Sequence, residues 1–333
     1  MSHPIADKNI RHLYVIREWG RDLGLNTEIK KCLEEYYGIE NVEVLIVPNH
    51  IRADIAMMDA IHEFKPAYIY MDSRIFIVNS KMLSLVKHLI EITFLNLKLK
   101  KANVIPICFV TDAQAPGYCL VADLLIHKIG YVVPMGSNFR YENRDRYRKL
   151  PGQFNPISES TAVLLSSNDQ VKTKNVYLGG SLYEPRKSFM IDVRKRLEHL
   201  GIKVDISSKK PDSYIDYLKE LAEHQIVLNT NFIADSTKVH MVGRNIETLI
   251  SGALLITQDT PLLVQYFQKG QHYVHASTPI EAADMISYFL KHPDELSQIA
   301  KNGQKAALHY ATNKLFVSVI DQFVQMHDKR SES

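Results

Sequence analysis

Short apolar runs of strand length alternate along this chain with longer stretches of helical period, and this alternation constrains the fold more than any other feature. Parallel strands joined by crossover helices are typical of such a pattern. In the first half we predict strands at residues 12–16, 42–47, 67–71 and 104–110, and helices at 25–37, 52–64 and 79–101. The sequence therefore predicts an α/β fold with parallel sheets.

The second half repeats the alternation with clearer helix boundaries. The run "NVYLGG" predicts a strand, and the helix that follows has Pro185 near its first turn and Gly201 as its stop. Thr278 and Glu281 flank a proline in a spacing that predicts a capping box. After residue 293 we expect one helix, a break near Gly303 or Tyr310, and a last amphipathic helix. Further strands are predicted at residues 203–206, 225–229 and 271–275, and a helix at 212–224. Residues 243–259 predict a helix, a glycine stop and then an apolar strand.

Length and charge narrow the class of protein. The 333 residues suit two domains, each with its own core, and a polar stretch at residues 137–173 indicates the link between them. With 40 basic and 37 acidic residues the formal charge is +3, which gives no sign of a nucleic-acid partner. A small or phosphorylated ligand fits this charge better.

The cysteines and the apolar stretches indicate the cellular compartment of the protein. Cys32, Cys108 and Cys119 have no CxxC spacing and are odd in number, so we expect buried thiols and no disulfide framework. The amino terminus lacks the pattern of a signal peptide. Charged residues interrupt the long apolar stretch at 82–110, so no transmembrane segment is expected. These features favour a cytoplasmic protein.

Familiar catalytic motifs are missing. The chain has no GxxxxGK[ST], GxGxxG, HExxH or GxSxG sequence, and none of its aspartates are spaced as Asp-x-Asp. The fourteen histidines show no metal-ligand spacing, so we expect no metal site. If a diphosphate binds here, cationic side chains and the amino-terminal ends of helices must hold it.

Two helix starts in the second half fit that task. Gly180 and Ser181 precede one of them, and Arg186 lies in its opening turn. The other start, within "GRNIETLISGALLITQD", carries Arg244 and Glu247. An arginine presents a fork of donors suited to phosphate oxygens. The alternative is that both arginines are exposed and that Glu247 only complements the helix dipole.

These features follow one another in an order that resembles a known family. Between residues 175 and 310 the chain resembles the carboxyl-terminal domain of CgeB-type glycosyltransferase-like proteins, within the group 1 glycosyltransferases of GT-B fold. The resemblance is carried, in order, by Gly180-Ser181, Arg186, "QIVLN" ending at Asn229, Arg244 with Glu247, Gly252, Phe267 with Gly270, and His292-Pro293 with Gly303.

The resemblance implies a domain arrangement. Two Rossmann-like domains with parallel sheets would face each other across a cleft, residues 1–150 on the acceptor side and 151–311 binding the nucleotide sugar. A helix at residues 312–328 would cross back onto the first domain. No cofactor is implied, since the nucleotide sugar is itself the substrate.

The resemblance also implies roles for residues. Glu247 would accept hydrogen bonds from the ribose hydroxyls, and Gly180, Ser181 and Asn229 would line the donor site. Arg186 and Arg244 would be the catalytic residues, stabilising the departing diphosphate. Apart from the resemblance, Asp112, after a predicted strand, or a group in "REWGRDLG" is the acceptor-side candidate; the alternative is that Asp112 only ends a strand and Trp19 only packs.

Two departures from the family pattern leave alternatives open. Val239 stands where the family has an earlier glutamate, and the terminal "HYATNK" lacks the family's arginine. The main hypothesis is a retaining, metal-independent glycosyltransferase that moves a sugar from a nucleoside diphosphate sugar to a hydroxyl of a glycan, lipid or protein. The alternatives are a non-catalytic GT-B protein that binds a ligand or serves as a scaffold, and another sugar-nucleotide enzyme such as an epimerase.

Overall fold

The computed structural model divides the chain into two compact units. The amino-terminal unit comprises Met1–Ser158 and Asn313–Ser333, and the carboxyl-terminal unit comprises Glu159–Thr312. No helix among the described residues is both long and apolar enough to cross a bilayer. The structure describes residues 10–20, 24–76, 82–110, 124–125, 129–135, 155–166, 172–179, 183–207, 213–232, 239–310, 316–317 and 320–322.

The described part of the amino-terminal unit contains a five-stranded parallel sheet in the order β2-β1-β3-β4-β5. Helices connect the first four strands, as the sequence predicts. In chain order the elements are β1 His12–Arg17, α1 Gly24–Tyr37, β2 Val42–Val47, α2 Ala53–Phe64, β3 Tyr68–Asp72, α3 Met82–Lys101, β4 Ile105–Val110 and β5 Tyr131–Pro134.

The described part of the carboxyl-terminal unit repeats this plan in a second parallel sheet, with the order β10-β9-β8-β6-β7. Its elements in chain order are α4 Glu159–Ser166, β6 Lys174–Gly179, α5 Arg186–His199, β7 Val204–Ser207, α6 Tyr214–Glu223, β8 His224–Leu228, α7 Gly243–Ile250, β9 Leu254–Thr257, α8 Pro261–Tyr266, β10 Val274–His275, α9 Pro279–Lys291 and α10 Pro293–Tyr310.

Both sheets have the same topology. Within each unit the first strand pairs with the second on one side and with the third on the other, giving the order 2-1-3-4-5 of doubly wound folds. The predicted α/β fold with two parallel sheets is confirmed. In such sheets ligands bind at the carboxyl ends of the strands, where the connections diverge.

Alternating side chains of β1 show how the first sheet separates two apolar layers. Leu13 and Val15 belong to the layer formed with α2 and α3. Tyr14 and Ile16 belong to the opposite layer, which side chains of α1 complete together with Phe316, Val317 and Ile320. Because successive side chains of a strand point to opposite faces, a strand buried on both faces must be apolar throughout.

The described residues after 312 pack into the amino-terminal unit. Phe316, Val317 and Ile320 are buried in its core. Asp321 accepts hydrogen bonds from the hydroxyls of Tyr36 and Tyr37 at the end of α1. The sequence predicts domain limits at residues 150 and 311, and the structure has them at residues 158 and 312.

The start of α9 has the predicted capping box. Thr278 Oγ1 accepts a hydrogen bond from the backbone N–H of Glu281, and the Glu281 carboxylate accepts one from the backbone N–H of Thr278. These bonds satisfy two backbone donors that a helix start otherwise leaves without partners. The capping box is confirmed.

Gly303 lies inside α10, where the helix continues without a break, so of the two predicted break points only the one at Tyr310 coincides with a helix end. A Cβ atom at Gly303 would meet the backbone oxygen of His272 at 2.4 Å and Leu249 Cδ2 at 2.8 Å. Only a glycine fits at this position, because the helix passes so close to the loop that contains His272. A backbone atom in that position cannot move aside cheaply.

We expect Gly303→Ala to lower the free energy of unfolding by about 1–3 kcal/mol, the usual cost of overpacking. At an uncrowded helix position the same change would stabilise the protein by about 1 kcal/mol. Chemical denaturation of Gly303→Ala and of the control Lys305→Ala, an exposed position on the same helix, measures the difference. Equal or higher stability of Gly303→Ala would contradict the packing argument.

Candidate functional site

The second sheet places its candidate site at the carboxyl ends of β6 and β8. These strands are neighbours, and the chain leaves β6 toward β7 on one side and β8 toward β9 on the other. The connection after β6 leads to α5, and the connection after β8 continues as residues 229–232. This divergence is where doubly wound sheets bind ligands.

Arg186 opens α5 at this position and is nearly buried, with 5% of its surface exposed. Its Nε donates to Thr230 Oγ1 at 2.7 Å, and its Nη2 donates to the backbone oxygen of Thr230 at 2.6 Å. The guanidinium carbon of Arg186 lies over the Tyr183 ring, 4.8 Å from the centre of that ring. These contacts use two of five N–H groups, and the remaining three have no partner among the described residues.

Arg244 and Glu247 lie in the first two turns of α7, where two tyrosines of α6 hold them. Arg244 Nε donates to the hydroxyl of Tyr217 at 2.7 Å, and that hydroxyl donates to Glu247 Oε2 at 3.1 Å. The hydroxyl of Tyr214 donates to Glu247 Oε1 at 2.9 Å. The carboxylate is therefore held at both oxygens while remaining half-buried.

The charges of the two arginines affect each other's protonation. Burial lowers the pKa of Arg186, and the positive charge of Arg244 acts in the same direction. Burial also acts to lower the pKa of Arg244, but Tyr217 and Glu247 outweigh it and hold that pKa above its ordinary value. Two cations close enough to affect each other repel, so an anion bound between them would be stabilised by both.

A network of buried amides supports the start of α7. Asn229 Nδ2 donates to Asn245 Oδ1, and Asn245 Nδ2 donates to Asn231 Oδ1 at 2.9 Å. Asn231 Nδ2 in turn donates to Thr257 Oγ1 at 3.0 Å and to the backbone oxygen of Gln258 at 2.7 Å. The network fixes α7 against the ends of β8 and β9, and thereby fixes the position of Arg244.

The structure brings together some of the predicted site residues. Arg186 and Arg244 with Glu247 lie around the ends of β6 and β8, on separate helices. Asn229 is fully buried, and its Oδ1 has no hydrogen-bond partner among the described residues. Gly180, Ser181 and Asp112 lie outside the described residues. The individual roles of all these residues stay predictions.

The group expected in "REWGRDLG" lies at the end of β1 in the other unit. Trp19 is 47% exposed there, and the guanidinium of Arg74 lies 5.7 Å from its ring centre. Arg74 also forms an ion pair of 2.7 Å with Asp72 at the end of β3. These contacts show an exposed aromatic ring at the carboxyl edge of the first sheet, and its role toward an acceptor stays a prediction.

Three site residues did not appear in the sequence-based interpretation. The tyrosines Tyr214 and Tyr217 hold Glu247, and Thr230 accepts both bonds of Arg186. A signal for the tyrosines exists in "DSYIDYLKE", because residues three apart lie on the same face of a helix. Thr230 follows the predicted strand directly, at the edge where ligands bind.

The described residues contain no group of three or more histidine, cysteine, aspartate or glutamate side chains placed to hold a metal ion. The site described above is instead cationic, with tyrosine hydroxyls and one carboxylate. Such a set of groups suits a ligand that combines phosphate oxygens, which accept hydrogen bonds, with hydroxyls, which donate them.

Comparison with known families agrees with this chemistry. Residues 169–317 match the family model described as glycosyl transferase-like. The matched region contains Arg186, Arg244 and Glu247. The predicted relationship to glycosyltransferases is confirmed at this level, and the match covers less than half of the chain. No curated protein sequence matches the chain.

Solved structures resemble the chain over almost its whole length. Anabaena Alr3699/HepE in complex with UDP and glucose has a TM-score of 0.61 at 13% identity, and the match covers 96% of this chain and 100% of that one. A glycosyltransferase from Rickettsia africae has a TM-score of 0.55 at 12% identity, covering 96% and 98%. Both structures share the GT-B fold of the chain.

The same fold also occurs with other chemistry. A putative UDP-N-acetylglucosamine 2-epimerase from Listeria monocytogenes has a TM-score of 0.53 at 12% identity, and the match covers 96% of this chain and 97% of that one. The fold alone therefore does not distinguish a sugar transferase from an epimerase, and the activity must be inferred from the residues of the site.

Proposed function

We propose that this protein is a metal-independent, retaining glycosyltransferase, related to the CgeB type, that moves a sugar from a nucleoside diphosphate sugar to an acceptor hydroxyl. The donor class to test first is UDP-sugars, because the similar Anabaena structures contain UDP and UDP-glucose. The acceptor is a glycan, a lipid or a protein. No cofactor takes part in the proposed reaction.

One observation carries the proposal: Arg186 and Arg244 lie together where the connections of the second sheet diverge, and Arg186 is nearly buried with three N–H groups left for a ligand. Breaking the anomeric bond places negative charge on the departing diphosphate. Donors aimed at that charge stabilise the transition state more than the ground state. The two arginines thus bind the diphosphate and lower the barrier.

Glu247 completes the donor site by binding the ribose. Each carboxylate oxygen accepts one tyrosine hydroxyl, and an ionised carboxylate can accept several hydrogen bonds, which suits it to ribose hydroxyls. The tyrosines keep the carboxylate in place before the donor arrives, so less side-chain entropy is lost on binding. Burial and the charge of Glu247 raise the pKa of Tyr217, which keeps its hydroxyl protonated and able to donate.

The proposal is tested by incubating the protein with UDP-, GDP-, TDP- and CDP-sugars and measuring both release of nucleotide and protection against thermal unfolding. We expect release with one donor class and the same rate after EDTA treatment. Loss of activity with EDTA would contradict metal independence. A lack of both release and protection with every donor would contradict the transferase assignment.

Glu247→Gln is expected to raise the KM for the donor by about 10- to 100-fold, because a hydrogen bond to a charged group contributes about 1.5–3 kcal/mol. The change in kcat should be smaller, since the ribose does not react. Steady-state kinetics measures both constants, and Glu198→Gln, an exposed position on α5, is the matched control. An unchanged donor KM would exclude ribose binding by Glu247.

A second candidate is a non-catalytic protein of the same fold that binds a nucleotide sugar. Val239 favours it, because an apolar side chain stands where the resemblance expects the earlier glutamate. The two candidates differ in one result of the donor experiment. Protection against unfolding without release of nucleotide, in the presence of varied acceptors, would identify the binding protein.

A further inference from the structure

Helix α3 of the amino-terminal unit is apolar on two opposite faces. Its inner face is fully buried against the sheet through Ile92, Leu95 and Leu99. On the outer face three large apolar side chains are more than half exposed: Ile90 at 53%, Phe94 at 59% and Leu97 at 56%. We call these three residues the apolar stripe.

The apolar stripe is continuous along the helix. Spacings of four and three residues place its members on one face, about half a turn around the helix from the buried side chains. A helix on the surface of a globular protein normally carries polar side chains on that outer face. A contiguous row of exposed large apolar groups marks a surface that contacts something else.

Three lysines follow the apolar stripe at the end of the helix. Lys98, Lys100 and Lys101 are exposed, and none has an ion pair within the part of the chain that the structure describes. The acidic residue of this helix, Glu91, is largely buried. Its Oε1 lies 3.6 Å from Nη1 of Arg52, the residue that directly precedes α2. The outer face of α3 is therefore apolar and positively charged.

We propose that α3 docks the amino-terminal unit on an anionic lipid surface. The apolar stripe would enter the boundary between headgroups and acyl chains, and the three lysines would contact the headgroup phosphates. The inner face keeps the helix attached to the sheet, so the helix would lie in the plane of the membrane surface and not cross it.

Charge favours this occupant over a second copy of the chain. Two apolar stripes could cover each other, but the lysines of both copies would then come near an interface whose acid, Glu91, is already paired with Arg52. Like charges placed together oppose association. An anionic bilayer supplies a partner for the apolar groups and for all three lysines at once.

The experiment is co-sedimentation of the full chain with vesicles of phosphatidylcholine alone and of phosphatidylcholine mixed with phosphatidylglycerol, at low and at physiological ionic strength. We expect binding to the anionic vesicles that weakens with salt, because surface charge is screened. Lys98→Gln, Lys100→Gln and Lys101→Gln together should weaken it, by about fivefold for each lysine.

A second variant separates the apolar contribution. Combined replacement of Ile90, Phe94 and Leu97 by serine should abolish vesicle binding without loss of fold, because these side chains are exposed. The matched control replaces Ile191 and Val264, exposed apolar residues of the other unit, by serine and should bind as the natural chain does.

Three results would overturn the proposal. The first is failure of the folded natural chain to bind anionic vesicles, and the second is equal binding by the variant without the apolar stripe. The third is a dimer in analytical ultracentrifugation that Phe94→Ser converts to monomer, which would assign the stripe to contact between copies. Vesicle binding and oligomeric state are both independent of sugar transfer, so they test this surface and not the donor site.

Discussion

Replacement of Arg244 by glutamine is expected to lower kcat/KM for sugar transfer by about 100- to 1,000-fold, which corresponds to about 3–4 kcal/mol in the barrier. The loss should fall mainly on kcat, because the diphosphate gains its charge as the anomeric bond breaks. Arg244→Lys should recover only part of the rate, since an ammonium group lacks the planar fork of donors. Steady-state kinetics with the active donor measures these changes.

The design separates loss of chemistry from loss of fold. Tyr217 would still donate to Glu247 without Arg244, so the site should keep its shape, and thermal unfolding checks this. Arg194→Gln serves as control, because Arg194 lies exposed on α5 and pairs with Glu198 away from the site. A kcat for Arg244→Gln within about threefold of the natural value would remove Arg244 from the reaction.

Arg186 is the less informative position for such a test. Its guanidinium is nearly buried and satisfies both the hydroxyl and the backbone oxygen of Thr230. Removing it would leave buried acceptors without donors, which costs stability as well as activity. Arg244 is only half-buried, and its removal leaves the Tyr217 to Glu247 bond in place, so it is the better position for measuring the electrostatic effect.

Local features of the fold could be predicted because the information for them is local. The limits of β2 at residues 42–47 agree with the structure, since an apolar run between polar residues defines a strand directly. The capping box at Thr278 likewise depends on residues three apart. The prediction was less accurate at residues 271–275, where the strand in the structure comprises only Val274–His275. It is shorter because residues 268–272 form a turn around Gly270, whose φ is 77°.

The site could be predicted only in part, because its contacts join distant segments. Arg186 and Thr230 are 44 residues apart, and Tyr214 and Glu247 are 33 apart. The order of strands in the sheet brings these segments together, and the sequence indicates which strands exist but not which ones are neighbours. Helix starts and charged residues could therefore be named in advance, whereas the contacts by which the tyrosines and the threonine hold them could not.

His12 should make the stability of the protein depend on pH in a way that one substitution removes. Its ring is buried at the start of β1, stacked on Tyr37 at 3.7 Å between ring centres, and its Nδ1 lies 2.9 Å from the hydroxyl of Tyr70. Nε2 is buried without a hydrogen-bond partner in the described residues. Desolvation by burial lowers the pKa of His12 from 6.5 to about 3.

The sign of the effect follows from which state binds the proton. Between the unfolded pKa of 6.5 and the folded pKa of about 3, the unfolded chain takes up a proton on His12 and the folded protein does not. Stability from the neutral ring is therefore complete above the unfolded pKa and is lost as the pH falls, by up to about 1.4 kcal/mol per pH unit. The tyrosines around the ring carry no charge in this range and do not alter the direction.

Urea unfolding of the natural chain and of His12→Phe across this pH range measures the effect. Phenylalanine keeps the stacked ring but does not titrate, so the difference in slope between the two proteins isolates His12 from the carboxylates that titrate in both. Parallel curves for the natural chain and His12→Phe would mean that His12 takes up its proton equally in the folded and unfolded states, which is incompatible with a ring buried among Tyr37, Tyr68 and Tyr70.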